Sequence, residues 1–338
     1  MNEDVSTGFS PKVMNIELTT KCPLHCPQCY CSLTGGKDID PDTAIYWLQE
    51  GGKHGVKYVM LSGGETLCYP HLFDIIKAAK TYCGYPNVAL SGVGLTQDVL
   101  DHMIRAGVYE ICISLNGSTR EINELTRDGY EYAINALDLL CRNGFENSTI
   151  NWVMHSNNSD DFENMLHIAE RYNVRSIDII GLKPDSNNQL ITLPSNEQMH
   201  HLRDIIRKYN GRVKISIETC YSPMLAYACD TALFGNLNNG PGIGCMAGRN
   251  SFSVSVDGML SPCRHLDVFE NFKTLKEYWH GSKILDTIRS VEKNKKEPCS
   301  ICYLSEHCRP CLAISLLSTN EYCMSNGYCN LWNKNQMS

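Results

Sequence analysis

Three cysteines near the start of the chain constrain it more than any other feature. Cys22, Cys26 and Cys29 have the spacing C-x3-C-x2-C and follow segment 13–19, whose alternating apolar and polar residues predict a β-strand. A [4Fe–4S] cube takes four ligands, so this triplet would leave one iron open to a small molecule. A zinc knuckle that lacks one ligand is the alternative. Zinc sites, however, usually pair two C-x2-C units, and no fourth cysteine follows at such a spacing.

Size and composition limit the class of protein. The 338 residues, 43% of them hydrophobic, suit one large α/β domain and a smaller one. A formal net charge of −7 argues against nucleic acid as a partner. No apolar run approaches the ~20 residues of a membrane span, and the polar N-terminus does not resemble a signal peptide. We therefore expect a cytoplasmic protein with no membrane partner, in which eighteen cysteines indicate metal binding rather than disulfides.

Strands and helices alternate through the first two thirds of the chain. The predicted strands are 13–19, 57–62, 87–91, 110–115, 149–154 and 176–181, and the predicted helices are 41–52, 70–82, 96–106, 130–143 and 160–172. A further helix at 197–209 leads into 212–218. This order predicts an α/β fold, a partial (β/α)6 barrel similar to a TIM barrel, with its chemistry at the carboxyl ends of the strands. We assign the barrel to residues 1–218 and a Cys-rich iron–sulfur domain to residues 219–338.

Small and polar residues follow two of the predicted strands. Gly63, Gly64 and Glu65 end the second strand, where glycines let the backbone approach a ligand and a carboxylate can accept hydrogen bonds from an amine. Ser114 and Asn116 end the fourth strand, and Arg127 follows eleven residues later. A solvated charge at a helix start is the alternative role for this arginine.

The C-terminal region contains a second set of cysteines. Cys245 and Cys263 flank Gly258, and a later run has the spacing C-x2-C-x5-C-x2-C. The run consists of Cys299, Cys302, Cys308 and Cys311. Within the same region, Cys220 and Cys229 precede Cys245, and Cys323 and Cys329 follow the run. A zinc ribbon is the alternative for the run at 299–311, because C-x2-C pairs suit zinc equally well.

Taken together, these motifs resemble the radical S-adenosylmethionine (radical SAM) enzymes over nearly the whole chain. The C-terminal cysteines resemble the SPASM extension of the peptide-modifying members, with one residue fewer between Cys308 and Cys311. The resemblance implies that the N-terminal cluster binds S-adenosylmethionine at its open iron. It implies further cofactor contacts by Gly63, Gly64, Glu65, Ser114, Asn116 and Arg127. This chain departs from the family at Thr66, where proline is usual, at Asn116, where aspartate is usual, and at Gln28, where an aromatic residue is usual.

The same resemblance implies two auxiliary [4Fe–4S] clusters. Cys245, Cys263 and Cys311 would hold the first, completed by Cys220, by Cys229 or by no residue. The second would be held by Cys299, Cys302, Cys308 and Cys329, with Cys323 in reserve for the last position.

The function implied is radical modification of a ribosomally made peptide, such as a thioether or carbon–carbon crosslink. A 5′-deoxyadenosyl radical would abstract hydrogen, and the auxiliary clusters would accept the electron released afterwards. An electron donor such as flavodoxin or ferredoxin is implied as a partner. Only twenty-one residues precede Cys22, so we expect no leader-peptide-binding domain. Either a separate small protein or the barrel surface would then recognise the leader.

Other functions stay open at this point. One alternative is a dehydrogenase that matures a sulfatase or acts on a small molecule, with Asp257, His265 or Asp267 as an acid–base residue. The other is an iron–sulfur electron carrier without radical chemistry. A carrier does not explain why a triplet of only three ligands occurs together with Gly-Gly-Glu. The sequence assigns no catalytic residue.

Overall fold

The computed structural model describes residues 10–31, 36–183, 191–218, 243–291, 293–297, 299–301, 305, 308–309 and 311–319. Strands β1 to β7 are Val13–Thr19, Tyr58–Gly63, Tyr85–Leu90, Glu110–Ser114, Ser148–Met154, Ser176–Gly181 and Lys214–Ile217. Helices α1 to α7 are Pro41–Lys53, Leu72–Tyr82, Gln97–Ala106, Arg120–Glu124, Tyr130–Arg142, Phe162–Arg171 and Asn196–Lys208. Every strand and helix predicted up to residue 218 is present, and the short helix α4 is an addition.

Local signals explain where these elements begin and end. The side chain of Asp40 accepts the Thr43 N–H and Pro41 follows directly, so α1 begins with a capped end. Helix α3 ends at Gly107, whose φ of 93° lies in the left-handed region. Along β1, Met14, Ile16 and Leu18 are fully buried, whereas the residues between them are not. This alternation places one face of the strand in the apolar core.

The C-terminal region adds strands to the barrel sheet. Strands β8 to β11 are Ile243–Gly244, Ser251–Val254, Leu260–Ser261 and Cys308–Arg309, and helices α8 to α10 are Leu275–Gly281, Lys283–Ser290 and Leu312–Thr319. The sheet order is β10-β9-β1-β2-β3-β4-β5-β6-β7, with β9 parallel to β1 and β10 antiparallel to β9. Strands β8 and β11 pair separately. The mostly parallel α/β fold is as expected, while the division at residue 218 stays a prediction.

A glycine in the β9–β10 turn allows this region to pack closely on the barrel. Gly258 has a φ of +73°, and a Cβ there would lie 2.7 Å from the methyl carbon of Thr43 in α1. The Trp47 indole of α1 donates to the Gly258 carbonyl at 3.0 Å. The glycine that the sequence places between Cys245 and Cys263 is therefore needed for a turn and for a close helix contact.

The face of the sheet that points away from the helices is polar. The register aligns Ser253, Asn15, Met60, Asn87 and Glu110 in one row, and Ser114, Asn151, Asp178 and Ser216 in another. The buried side-chain oxygens Asn87 Oδ1 and Ser253 Oγ have no protein partner. A TIM barrel interior is normally filled by bulky apolar side chains. The inner face of this sheet instead suits a polar ligand.

Two separate apolar clusters stabilise the described regions. The large cluster lies between the sheet and helices α1 to α8 and includes Trp152, Phe162 and Tyr278. The small cluster belongs to the C-terminal region, and two of its nine buried members are the cysteines Cys245 and Cys311. Within the described ranges, no helix has the length and apolarity needed to span a bilayer.

Candidate functional site

The three N-terminal cysteines line one cavity at the carboxyl ends of the strands. Their loop is held by residues far along the chain. The His25 N–H donates to the Asp128 carboxylate at 2.7 Å, and the Gln28 N–H donates to the Thr126 carbonyl at 3.1 Å. Within the loop, the Cys29 N–H donates to the Cys26 carbonyl at 3.0 Å. The cysteine loop is therefore fixed by the segment that follows α4.

Gly63 and Gly64 allow the end of β2 to touch this loop. A Cβ at Gly63 would lie 2.3 Å from the Thr19 carbonyl oxygen, and one at Gly64 would lie 2.3 Å from the Lys21 carbonyl oxygen. The Gly64 N–H donates to Thr19 at 2.7 Å. Any side chain at either position would push the cysteine loop away. Both glycines also line the cavity, as expected for residues near a cofactor.

Glu65 is buried beneath the cavity, with only 1% of its surface exposed. Its carboxylate accepts the Leu67 N–H at 3.2 Å, the Ser91 N–H at 2.8 Å and the Ser91 hydroxyl. Burial raises the pKa of Glu65, although the bonds from Ser91 and the charge of Arg127 oppose the shift. A carboxylate has about four acceptor sites, so one is still available for an ammonium group.

Asn116 lies behind the cavity wall rather than in it. This fully buried side chain donates to Gln28 Oε1 at 2.7 Å and to Thr126 Oγ1 at 2.9 Å, and it accepts the Val153 N–H at 3.1 Å. It is absent from the cavity lining, whereas Ser114 and Gln28 are present there. The geometry gives Asn116 the role of joining β4 and β5 to the cysteine loop.

Arg127 lines the cavity with an unsatisfied donor. Its Nε atom is buried and has no protein partner, and Ser62 Oγ on β2 is in the same state. Buried polar atoms normally have partners, so two unsatisfied groups in one cavity indicate a polar ligand. The charge of Arg127 also opposes the rise that burial causes in the pKa of Cys26. This position favours a role toward an anion over that of a solvated charge.

Cys31 is a fourth thiol in the cavity that the sequence analysis missed. Its Sγ lies 3.2 Å from the Gly63 carbonyl oxygen, and its environment includes Cys29. Burial raises the pKa of Cys22 to about 11, and the charges of Glu65 and the neighbouring thiols add to the shift. Thiolates in such a site need a positive partner, which iron supplies. The donor set and the unsatisfied Arg127 therefore fit a cluster with an anionic cofactor.

Part of the cavity lining comes from the C-terminal region. Arg264 and His265, which directly follow Cys263, line the cavity together with Tyr30 and Lys183. The Tyr30 and His265 rings are 4.4 Å apart, so the residue after Cys29 contacts the second residue after Cys263. Of the three acid–base candidates, only His265 lies in this lining. Asp257 instead pairs with Lys37, and Asp267 is not among the lining residues.

The predicted ligands of the first auxiliary cluster lie together. Cys245 and Cys311 are buried in the small apolar cluster, and Cys263 and Cys299 pack against it. Burial raises the pKa of Cys263 to about 12, and the two neighbouring thiols Cys245 and Cys311 add to the shift. This convergence of thiols fits an auxiliary cluster. The placement of Cys220, Cys229, Cys302, Cys323 and Cys329 lies outside the described residues.

Cys308 is described through its backbone alone. It pairs with Ile243 in the small parallel sheet of β8 and β11, and the Cys245 N–H donates to the next carbonyl, that of Arg309, at 2.8 Å. The run of cysteines at 299–311 is thereby aligned beside the segment that contains Cys245. The cavity beside this region has an empty volume of about 1040 Å³, part of it continuous with solvent.

Two family models match this chain. The radical SAM superfamily model matches residues 16–169, and the SPASM iron–sulfur cluster-binding domain matches residues 245–309. Among similar proteins, a PqqA peptide cyclase of Ruegeria pomeroyi is 27% identical over 326 residues, covering 91% of this chain and 81% of the relative. An AdoMet-dependent heme synthase of Methanosarcina barkeri is 21% identical over 338 residues, covering 95% and 96%.

Solved structures share the fold at low identity. Streptococcus suis SuiB bound to S-adenosylmethionine has a TM-score of 0.77 and 15% identity, covering 95% of this chain and 77% of that one. Native anSMEcpe with bound AdoMet has a TM-score of 0.74 and 16% identity, covering 96% and 95%. These likenesses support the fold.

The cysteine cavity, the buried C-terminal thiols and the matching models lead to one assignment. The cofactors are S-adenosylmethionine, the [4Fe–4S] cluster that binds it and auxiliary iron–sulfur clusters. The chain is an enzyme that contains a radical SAM domain and a SPASM iron–sulfur domain.

Proposed function

We propose that this enzyme modifies a ribosomally made peptide by abstracting a hydrogen atom from it. The observation that carries the proposal is the shared cavity, which is lined both by the cysteine triplet and by residues next to Cys263. When bound, S-adenosylmethionine supplies a 5′-deoxyadenosyl radical to that space. PqqA peptide cyclases among the relatives, and a SuiB structure bound to the precursor peptide SuiA, support a peptide substrate.

We assign the cofactor contacts by position in the cavity. Cys22, Cys26 and Cys29 hold the cluster, and Gly63 and Gly64 let the backbone approach the cofactor. Glu65 accepts from the methionyl ammonium, Arg127 donates to its carboxylate, and Ser114 offers a hydroxyl. Asn116 is a positioning residue, because its hydrogen bonds set the position of Gln28. Residues of the C-terminal region line part of the cavity, and shielding of this kind protects a radical from side reactions.

When bound, the auxiliary clusters would supply an acceptor for the electron released when the product forms. Cys245, Cys263 and Cys311 hold the first, with Cys220 or Cys229 as candidates for its remaining position. The run from Cys299 to Cys308 holds the second, together with Cys329 or Cys323. We also propose the domain division at residue 218, an electron donor such as flavodoxin or ferredoxin, a small leader-binding partner and a cytoplasmic location.

Co-expression with candidate peptides tests this function. Each short reading frame beside the gene is expressed together with the enzyme, and the peptides are examined by mass spectrometry for a mass change. Cys26→Ala, which removes a cluster ligand, is the control and should leave every peptide unchanged. Reductant-dependent 5′-deoxyadenosine formation should occur in the wild type and not in the variant. Formation of 5′-deoxyadenosine with no peptide modified, while a small molecule is converted, would contradict the peptide substrate.

A further inference from the structure

Arg264 lines the cavity beside an aromatic ring and a histidine rather than beside a carboxylate. It follows Cys263 and lines the cavity, as Arg127 also does, and its guanidinium lies 5.0 Å from the centre of the Tyr30 ring. Its Nε donates to Nε2 of His265 at 3.4 Å. Within the described part of the chain, no carboxylate lies within ion-pair distance of this guanidinium. An arginine in a partly buried wall thus retains several donors for a ligand.

Neither of the two acids whose charge acts on Arg264 forms an ion pair with it. Glu218 accepts from the Lys183 ammonium and from the Gly181 N–H at 3.1 Å. Glu17 projects from β1, and burial raises the pKa of this carboxyl, with the charge of Arg264 opposing the rise. Neither acid is placed to occupy the guanidinium fork.

His265 presents a second donor at the same place. Because its Nε2 accepts from Arg264, the ring proton of the neutral imidazole is on Nδ1. This Nδ1 is buried, lines the cavity and has no partner. An N–H donor without an acceptor, next to a guanidinium without a carboxylate, is complementary to one anionic group.

Arg289 offers a comparison within the chain, because two of its donors bond backbone carbonyls. Arg289 also stacks on a ring, lying 4.7 Å from the centre of Trp279. It donates to the Gly248 carbonyl at 2.7 Å and to the Trp279 carbonyl at 2.6 Å. Arg264 has the ring contact and bonds no carbonyl of the residues that the structure describes. The ring contact therefore orients the guanidinium without using its donors.

We propose that Arg264, with the Nδ1–H of His265 beside it, binds a carboxylate of the peptide substrate and so determines specificity. The proposal rests on the proposed function. A peptide offers this carboxylate either from an aspartate or glutamate side chain or from its C-terminus. The cofactor carboxylate is assigned to Arg127, whose charge acts on Cys26 and Glu65, whereas Arg264 acts on Tyr30, Cys31 and Cys263.

Peptide selection without turnover tests the proposal. The anaerobically reconstituted enzyme, with S-adenosylmethionine and no reductant, is used to capture peptides from a random library. The library is made once with free and once with amidated C-termini. Captured peptides are sequenced for the wild type, Arg264→Gln, Arg264→Lys and the matched control Arg289→Gln. Iron content and thermal midpoint are measured first for each variant.

We expect the wild type and Arg289→Gln to enrich a carboxylate about tenfold over its amide counterpart, as for a charge-assisted pair. The enrichment should vanish in Arg264→Gln and weaken in Arg264→Lys, which keeps the charge and loses the fork. Enrichment of Asp or Glu in the amidated library identifies a side-chain carboxylate. Enrichment confined to free C-termini identifies the terminal one.

Four results would overturn the proposal. Unchanged enrichment in Arg264→Gln would remove its specificity role. Equal loss in Arg264→Gln and Arg289→Gln would show that any buried arginine affects capture through the fold. A wild type that captures no peptide would contradict the proposed function as well, whereas capture without acidic preference would contradict only the role of Arg264.

Discussion

The barrel and the C-terminal region meet at one cavity but are stabilised differently. In the barrel, the apolar core of fully buried residues such as Ile16, Trp152 and Phe162 lies away from the cysteine loop. In the C-terminal region, Cys245 and Cys311 are themselves part of the small core. The barrel can therefore bury its apolar surface without metal, whereas the C-terminal core includes the metal ligands.

The burial of these cysteines affects the charge state of their thiols. Burial raises the pKa of Cys245 to about 11, with Cys311 adding to the shift, so these thiols stay protonated until a cation binds. Metal binding then contributes directly to the folding of that region. On the proposed assignment, the barrel would use metal for chemistry, and the C-terminal region would use it for structure as well.

Removal of iron should have the largest effect, and we expect that effect in the C-terminal region alone. After anaerobic chelation, the amides of residues 245–266 and 312–316 should exchange hydrogen orders of magnitude faster, because their core loses its metal. The amides of β1 and β4 should stay protected. Hydrogen-exchange mass spectrometry measures both.

The triple change of Cys22, Cys26 and Cys29 to Ala is the control. It should remove about a third of the iron and leave the C-terminal amides protected. Protection of both regions after chelation would contradict the comparison.

Asn116→Ala tests whether the barrel side of the site depends on hydrogen bonds. The change leaves Gln28 Oε1 and the Val153 N–H unsatisfied, at about 1–3 kcal/mol each, so we expect a loss of about 4 kcal/mol in unfolding free energy. Cofactor affinity should fall because the cysteine loop moves. Asn116→Asp is the matched variant, since it can still accept the Val153 N–H. Differential scanning calorimetry and cofactor titration measure these effects. Equal behaviour of the two variants would remove the positioning role.

Glu65→Gln tests whether Glu65 contacts the cofactor directly or acts only by holding Ser91 in place. If Glu65 binds the methionyl ammonium, the change should weaken S-adenosylmethionine binding by about 2 kcal/mol, or about thirtyfold. Binding of a deaminated analogue should hardly change. Titration calorimetry with both compounds gives the comparison. Similar losses for the two would show that Glu65 acts only by holding Ser91 in place.

Asp178→Asn tests the polar inner face and should have the smallest effect. Burial raises the pKa of Asp178 to about 6, and the neighbouring Glu110 adds to the shift. A raised carboxyl pKa stabilises the fold fully below the unfolded value near 3.8, and this contribution is lost as the pH rises through 6. The variant should therefore gain about 1–2 kcal/mol relative to the wild type between pH 4 and pH 7. Thermal midpoints across this pH range measure the gain. A constant difference at all pH values would contradict the assignment to Asp178.

The sequence alone determined the elements and the cofactor class. Alternating residues such as those of Val13–Thr19 identify a half-buried strand, and the spacing of Cys22, Cys26 and Cys29 identifies the cluster site, because both signals are local in the chain. Helix α4 was missed because five residues give too short a pattern.

Only the tertiary structure decided the contacts between distant segments. The pairing of β9 with β1, the bond from Asn116 to Gln28 and the presence of Arg264 and Arg127 in one cavity each bring together residues more than eighty positions apart. No periodicity reports such contacts, because burial and hydrogen bonding depend on how the strands align across the sheet. The chain's local patterns fix which groups are available for the chemistry, and the register of the folded sheet fixes which of them meet.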